Sequence, residues 1–329
     1  MLSLLVLVVV IMLALAFDYV NGFHDTANAI ATSVSTKALT PRAAIMIAAI
    51  LNFIGALSGT GVAKTIGQGL VSPEVVTGHV LIAALSGAIF WNVFTWYFGI
   101  PSSSSHALIG GLSGAAVAGL GFRAVNWLGF KGILAALILS PLAGFFVGSI
   151  IMTILFWMFK SVPPHKINNN FRRLQVLSAC MAAFSHGSND AQKSMGIITL
   201  ALVSAGYLQV FHVPLWVMVA CATAMALGTM AGGWKIIRTM GGKIFRIEPI
   251  NGFAADFTAS MVIYTATLLH APVSTTHVVS SSIMGVGAAK RFKGVRWGVA
   301  QQIVIAWVVT IPSSGAVAAI IYQLISPFF

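Results

Sequence analysis

Gly187-Ser188-Asn189-Asp190-Ala191-Gln192-Lys193 is a polar heptapeptide whose skeleton occurs a second time, earlier in the chain. The earlier stretch reads Gly22-Phe23-His24-Asp25-Thr26-Ala27-Asn28, with its aspartate again three residues after a glycine. The whole chain has six acidic residues, and two of them occupy this same position in the two copies. The repeat therefore indicates one polar feature, present twice, in a sequence that is otherwise apolar.

The composition predicts the class of protein. Of the 329 residues, 58% are hydrophobic and 7% are charged, which leaves too little polar surface to cover a soluble globule. The sequence therefore predicts an all-α, multi-pass protein of the cell membrane. The net charge of +12 would suggest a nucleic-acid partner in a soluble protein, but here the basic residues cluster in short loops, where they indicate topology. We expect the lipid bilayer as a partner, no nucleic acid and no bound cofactor.

Apolar runs predict the membrane spans. The first covers residues 1–36, and its polar stretch from Asp18 to Asp25 predicts a break in the helix. A second break is predicted at His186 to Asp190, in the equivalent span of the other half. Non-helical backbone at membrane depth is tolerated only where it faces protein or a cavity, so such breaks are typical of binding sites. The other predicted spans are 43–62, 80–98, 107–120, 132–159, 215–231, 253–269, 278–289 and 299–325.

A second motif repeats in the same order. Pro-x-Ser-[Ser/Thr]-[Ser/Thr]-His begins at Pro101 and again at Pro272, each time between two apolar segments. The Asp25-to-His106 spacing is 81 positions, and the corresponding spacing in the second half is 87. Each hydroxyl run forms either a polar loop outside the membrane or the tip of a re-entrant helical hairpin. The predicted organisation is transmembrane repeat 1 (residues 1–159), a basic cytoplasmic linker (160–173) and transmembrane repeat 2 (174–329), which together form one transport domain.

The basic loops predict how the repeats are oriented. Positively charged loops favour the cytoplasmic side, which places the linker there. Counting spans from the linker puts loop 37–42 inside and its equivalent, loop 203–213, outside. The repeats are therefore predicted to be inverted, with both termini outside. Inverted repeats with broken helices are typical of secondary transporters, whose sites lie near the bilayer midplane.

Asp25 and Asp190 are the first candidates for a site. A charged residue at membrane depth is costly and so indicates function, although each aspartate could instead cap a helix. Carboxylate, amide, hydroxyl and carbonyl oxygens suit a hard cation, and the sequence has no Cys or His cluster of transition-metal type. Na⁺ is therefore favoured over H⁺, for which one titrating carboxylate would suffice.

The hydroxyl runs Ser102–Ser105 and Ser274–Thr276 are candidates for anion binding. A helix N-terminus with hydroxyl donors suits an oxyanion, although the hydroxyls could merely complete a turn. Gln192 could also reach the anion. Phosphate retains a proton that it can donate to a carboxylate, whereas sulfate does not, so a nearby aspartate favours phosphate.

These motifs resemble those of a known family. GFHDTANA (Gly22 to Ala29) and GSNDAQK (Gly187 to Lys193) are similar to the two signature copies of the Pit-type inorganic phosphate transporters, and PSSSSH and PVSTTH resemble their paired hairpin motifs. The resemblance implies symport of phosphate with Na⁺ or H⁺, two inverted repeats and a homodimer. Alternating access is expected from rocking of one set of elements about the central site. His24 stands where the family usually has asparagine, and Asn52 where many relatives have glutamate.

The resemblance also implies site residues, carried over position by position. The implied Na⁺ ligands are Asp25, Asn28, Asn189 and Asp190. The implied phosphate ligands are Ser103, Ser104, Ser105, Ser274, Thr275 and Thr276, to which the residue analysis adds Asp25, Asp190 and Gln192.

Several alternatives stay open. Lys193 could form an ion pair with an aspartate or contact phosphate, and Asp256 could be a lesser cation ligand or the partner of Lys193. A sulfate or other oxyanion symporter, or an anion channel, could use the same scaffold. A hydrolase built on Ser105 or Thr276 with a neighbouring histidine is disfavoured, because sequence neighbours rarely form a catalytic triad. We therefore predict that the protein is not an enzyme.

Overall fold

The apolar runs form α-helices in the computed structural model, which describes residues 3–71 and 76–328, without the side chains of residues 26–28, 234 and 328. Within these ranges there are twelve α-helices and no β-strand, apart from an isolated bridge between Val71 and Val125. The helices are α1 (Leu4–Ser35), α2 (Pro41–Ala56), α3 (Gly61–Gly69), α4 (Gly78–Phe98), α5 (Ser104–Leu120), α6 (Trp127–Phe159), α7 (Pro164–Ser204), α8 (Leu215–Ala231), α9 (Trp234–Arg238), α10 (Pro249–Leu268), α11 (Thr275–Arg291) and α12 (Trp297–Ile325).

The long helices fit a multi-pass membrane protein. Among the described residues, α1, α4, α6 and α12 are each long and apolar enough to cross a membrane. Two bent pairs raise the number of candidate spans to six if each pair is one span. In the first pair α2 and α3 meet at 70°, and in the second α8 meets α9, with its π-helical continuation through Lys243, at 64°.

The predicted positions of the helix breaks are wrong. α1 and α7 each run through their motif without interruption. A lone glycine costs only about 1 kcal/mol relative to alanine in a helix, which is too little to break one. The motif glycines instead allow close packing: a Cβ on Gly22 would lie 2.4 Å from the Met225 carbonyl oxygen, and one on Gly187 would lie 2.2 Å from that of Asn52. The broken helices are the bent pairs α2–α3 and α8–α9.

Two helical hairpins carry the hydroxyl runs. α4 turns into α5 through Gly99, whose φ of 67° is left-handed, and α10 turns into α11 through His270, with a φ of 57°. Ser103 and Ser274 cap the second helix of each hairpin, because their hydroxyls accept from the backbone N–H three residues later at 3.1 and 3.2 Å. The hairpins therefore present the hydroxyls that follow the caps from the first turn of a helix.

The two halves of the chain interlock. α1 packs against α8 and α2 against α7, while α6 packs against α11 and α12 against α5. Small residues allow these crossings, as at Gly114, where a Cβ would lie 2.2 Å from the Gly315 carbonyl oxygen. The predicted linker is mostly helical, because α7 begins at Pro164 and leaves only residues 160–163 between α6 and α7. The inverted orientation of the repeats and their exact division stay predictions.

Candidate functional site

Asp25 and Asp190 lie together at the crossing of α1 and α7. An oxygen of each carboxylate and a ring nitrogen of His186 all lie within 4.8 Å of one another. The two aspartates are 1% and 0% exposed. An aspartate from each half therefore projects into the same buried space, as the repeat predicts. Both motif helices are uninterrupted at this point.

Asp25 receives donors from both hairpin tips. Ser104 Oγ, at the start of α5, donates to Oδ2 at 2.5 Å. Thr276 Oγ1, at the start of α11, donates to Oδ1 at 2.9 Å. The first turns of the two hairpin helices therefore meet at one carboxylate of the first half.

His24 is a third donor to Asp25. Its Nδ1 lies 2.6 Å from Asp25 Oδ1, and its Nε2 lies 3.2 Å from Thr95 Oγ1 and 3.3 Å from Ser102 Oγ. Thr95 Oγ1 donates to the Trp91 carbonyl at 2.9 Å, so Ser102 is the hydroxyl left to donate to Nε2 when the proton of His24 lies on Nδ1. His24 can thus donate to Asp25 through Nδ1, as an asparagine amide could.

Asp190 has a different set of partners. Thr275 Oγ1 donates to Oδ2 at 3.0 Å, and His186 Nε2 lies 3.4 Å from the same oxygen. Lys193 Nζ donates to Oδ1 at 2.5 Å. Lys193 therefore forms its ion pair with Asp190 and not with Asp256. The Asp256 carboxylate instead accepts from Thr32 Oγ1, at 2.6 and 2.8 Å.

Not every predicted phosphate ligand faces the aspartates. Ser104, Thr275 and Thr276 do, whereas the hydroxyls of Ser103 and Ser274 accept at the helix caps. Ser105 Oγ donates to the Val273 carbonyl at 2.9 Å and accepts from Lys193 at 2.5 Å. The six hydroxyls therefore divide into three that contact a carboxylate, two that shape the tips and one that contacts the lysine.

The predicted amide ligands Gln192 and Asn189 bind backbone groups next to the site, and Asn189 also binds the hydroxyl of Thr267. Gln192 Oε1 accepts from the N–H groups of Val62 and Ala63 at 2.8 and 3.2 Å, at the start of α3, and its Nε2 donates to the Ser188 carbonyl at 2.7 Å. Asn189 Nδ2 donates to Thr267 Oγ1 at 3.0 Å and to the Ala271 carbonyl at 3.2 Å, and its Oδ1 accepts from Val273 N–H at 3.3 Å. The side chain of Asn28 lies outside the described residues. The structure brings neither Gln192 nor Asn189 onto the carboxylates.

The sequence reasoning missed Asn21 and His186 as site residues. Asn21 Oδ1 lies 2.9 Å from Ser104 Oγ, the hydroxyl that donates to Asp25, and His186 joins the Asp25–Asp190 cluster. Each lies four residues before a motif aspartate, which is one helical turn and therefore the same helix face. The four-residue spacing points to these residues only if the motif is assumed to be helical. The predicted helix breaks excluded that assumption.

A known family matches the part of the chain that carries these residues. The sequence profile described as the Phosphate transporter family matches residues 21–318, which include both aspartates and both hairpin tips. The chain belongs to this family. The resemblance found in the motifs is therefore confirmed, and the family consists of transporters and not of enzymes.

Relatives within the family match over nearly their whole length. A protein of Bacillus subtilis (strain 168), described as a "probable low-affinity inorganic phosphate transporter", is 54% identical over 99% of both chains. One of Rhizobium meliloti (strain 1021) with the same description is 48% identical over 96% of this chain and 95% of its own. A solved structure, described as "the sodium-dependent phosphate transporter", superposes with a TM-score of 0.90 at 25% identity, covering 99% of this chain and all of the other.

Proposed function

We propose that this chain takes up inorganic phosphate by symport with cations, with Na⁺ preferred over H⁺. The observation that carries the proposal is the pair of buried aspartates from equivalent motif positions, together with hydroxyls from both hairpin tips. A site of this kind combines negative charge for a cation with donors for an oxyanion. Membership of the phosphate transporter family supports phosphate as the substrate.

The Asp25 side of the site supports a transported cation. Its carboxylate accepts from two hydroxyls and lies beside His24, and no lysine or arginine pairs with it among the described residues. Oxygen-rich surroundings suit a hard cation such as Na⁺. The similar solved structure, which is described as sodium-dependent, points the same way.

The hairpin tips support phosphate binding. α5 and α11 direct their N-terminal turns at the site, where the positive end of the helix dipole and the first-turn backbone N–H groups favour an anion. Ser104, Thr275 and Thr276 can release the carboxylates and donate to phosphate oxygens when a cation arrives. Ser103 and Ser274 then act by holding the tips in shape.

Alternating access is by rocking of one set of helices about this site, between inverted halves whose termini lie outside. The packing of α6 against α11 and of α12 against α5 supports such a movement. In each case the hairpin of one half packs against the last helix of the other half. The protein forms a homodimer, as the family resemblance implies.

Gradient-driven uptake tests the proposal. Purified protein in proteoliposomes is expected to concentrate labelled phosphate when an inward Na⁺ gradient is imposed at equal pH. A pH gradient without Na⁺ should drive less uptake. Flux that is indifferent to both gradients would contradict symport and would indicate an anion channel.

Discrimination between phosphate and sulfate tests the role of the carboxylates. Asp25 or Asp190 can accept the proton that phosphate retains, whereas sulfate would leave a carboxylate facing an anion without a bridging proton. Sites that bind a substrate hydroxyl reject analogues that lack it by large factors, so sulfate uptake should be at least about 100-fold slower. Arsenate, which has the same shape and retains a proton, is the matched control and should compete. Equal uptake of sulfate would favour a general oxyanion symporter.

Thr276→Val tests the contact between the second hairpin tip and Asp25. The change removes a hydroxyl that donates to Asp25 Oδ1 at 2.9 Å, with little change of shape. A hydrogen bond to a charged group contributes about 1.5–3 kcal/mol, so phosphate uptake should fall roughly 10- to 100-fold. Thr199→Val is the control, because Thr199 is also buried but donates only to the Met195 carbonyl of its own helix. Equal effects of the two substitutions would contradict the role of Thr276.

A further inference from the structure

The ammonium group of Lys193 lies inside the proposed transport site. The side chain is 0% exposed and is among the largest fully buried side chains of the described residues. Nζ donates to Asp190 Oδ1 and to Ser105 Oγ, both at 2.5 Å, and to the Val273 carbonyl at 3.2 Å. All three protons of the ammonium group therefore have an oxygen partner within the protein.

The partners of this ammonium are those that a transported cation would use. A carboxylate, a hydroxyl and a backbone carbonyl are hard oxygen ligands of the type that bind Na⁺. They also come from the Asp190 motif and from both hairpins, which are the elements that form the proposed site. The ammonium therefore occupies a position that is built like a monovalent cation site.

The two halves differ at this position. Lys193 stands three residues after Asp190, and the equivalent position after Asp25 is Asn28, which is neutral. Among the described residues, the basic side chains beside Asp25 are histidines: His24 Nδ1 lies 2.6 Å from Oδ1, and His186 belongs to the same cluster. The second half therefore places a lysine ammonium against its aspartate, whereas the first half has no lysine at the equivalent position.

We propose that Lys193 is a tethered cation that takes the place of a transported cation at Asp190, so that only the Asp25 side binds a cation that crosses the membrane. This inference rests on the proposed cation symport. Removal of the lysine charge makes the site one unit more negative than in the wild type, whatever charge the neighbouring His24 and His186 carry. Uncompensated charge at membrane depth is costly, so the protein without this ammonium must bind one more cation in each cycle.

The test is the charge moved per phosphate in proteoliposomes. With Na⁺ and pH equal on both sides and a fixed phosphate gradient, the membrane potential that stops net flux gives the ratio of charges to phosphate. Lys193→Asn gives the second half the aspartate and asparagine that the first half has at Asp25 and Asn28. This variant is expected to move one positive charge more per phosphate than the wild type. The rate of phosphate uptake by this variant should also rise with a higher power of the Na⁺ concentration than the rate of the wild type. An unchanged ratio would overturn the inference.

A charge-balanced variant separates charge from structure. Asp190→Asn combined with Lys193→Asn removes one negative and one positive charge, which leaves the net charge of the site as in the wild type, so the wild-type ratio is expected. If Asp190 itself binds a transported cation beside Lys193, this double variant would lose one charge per phosphate, which would overturn the inference. A merely structural ion pair does not predict the rise in the single variant.

Two further measurements keep the outcome decisive. If a variant is recovered but transports too slowly, its melting temperature in Na⁺ against choline replaces the flux assay, because a ligand stabilises the state that binds it. Lys193→Asn should gain Na⁺-dependent stabilisation over the wild type, and an identical Na⁺ response would refute the tethered cation. Wild-type uptake that ignores both Na⁺ and pH gradients would refute the proposed symport itself, which is a separate result.

Discussion

Asp25→Asn is expected to reduce phosphate uptake by at least about 100-fold while the protein still inserts in the membrane. The substitution keeps the shape of the side chain and removes the negative charge that hydroxyls of Ser104 and Thr276 contact at 2.5 and 2.9 Å. Two hydrogen bonds to a charged group, at about 1.5–3 kcal/mol each, come to about 3–6 kcal/mol. Since about 1.4 kcal/mol is a factor of ten, the lower end already corresponds to roughly 100-fold.

Glu248→Gln is the matched control for this substitution. It makes the same change from carboxylate to amide, but Glu248 is 45% exposed and pairs with Lys290 at 2.7 Å at the start of α10. An exposed ion pair contributes about 0–1 kcal/mol, so uptake should change by less than about fivefold. Uptake by liposomes with equal amounts of each purified variant is the measurement. Near-normal transport by Asp25→Asn would remove Asp25 from the site.

Gly187→Ala is expected to destabilise the whole protein. The new Cβ would lie 2.2 Å from the Asn52 carbonyl oxygen and 2.6 Å from the Asn52 Cα, so α7 and α2 would have to move apart. Backbone atoms cannot turn away as a side chain can, and we therefore expect a loss of about 3 kcal/mol or more, at the upper end of overpacking costs. The melting temperature and the monodisperse fraction in detergent should both fall.

Gly132→Ala is the control for the glycine substitution. Gly132 lies within α6, and a Cβ there would meet no atom within 4 Å. Alanine favours the helix over glycine by about 1 kcal/mol, so this variant should match or exceed the wild type in stability. A Gly187→Ala protein as stable as Gly132→Ala would show that the α2–α7 contact tolerates separation, and would contradict the packing role of the motif glycine.

The two motifs show how far local sequence reasoning reaches. Their aspartates are recognisable because charge is rare in an apolar chain, and their repetition predicts that both belong to one site. The glycine and the polar run also predict a break, and that prediction is wrong. Helix disruption depends on what surrounds the segment, and here Ser104, Thr275 and Thr276 reach across from distant parts of the chain to satisfy the carboxylates.

Individual ligands were harder to predict than the site. Gln192 and Ser103 are polar residues in the right motifs, yet the first holds the start of α3 and the second caps α5. Asn21 and His186 lie one helical turn before the aspartates and do face the site. A polar side chain in a motif can bind either backbone groups or the ligand. Its neighbours in the folded protein decide which of the two it binds, and sequence spacing does not specify those neighbours.

The amino-acid sequence by itself determined the membrane setting, the duplicated motifs, the paired hydroxyl runs and the membership of a transporter family, because composition and repetition are properties of the chain alone. Only the tertiary structure decided that α1 and α7 are continuous, that the bends lie at α2–α3 and α8–α9, and that Lys193 pairs with Asp190. Each of these depends on contacts between residues far apart in the chain. Backbone approach at Gly22 and Gly187 and the oxygen partners of Lys193 exist only once the two halves have packed.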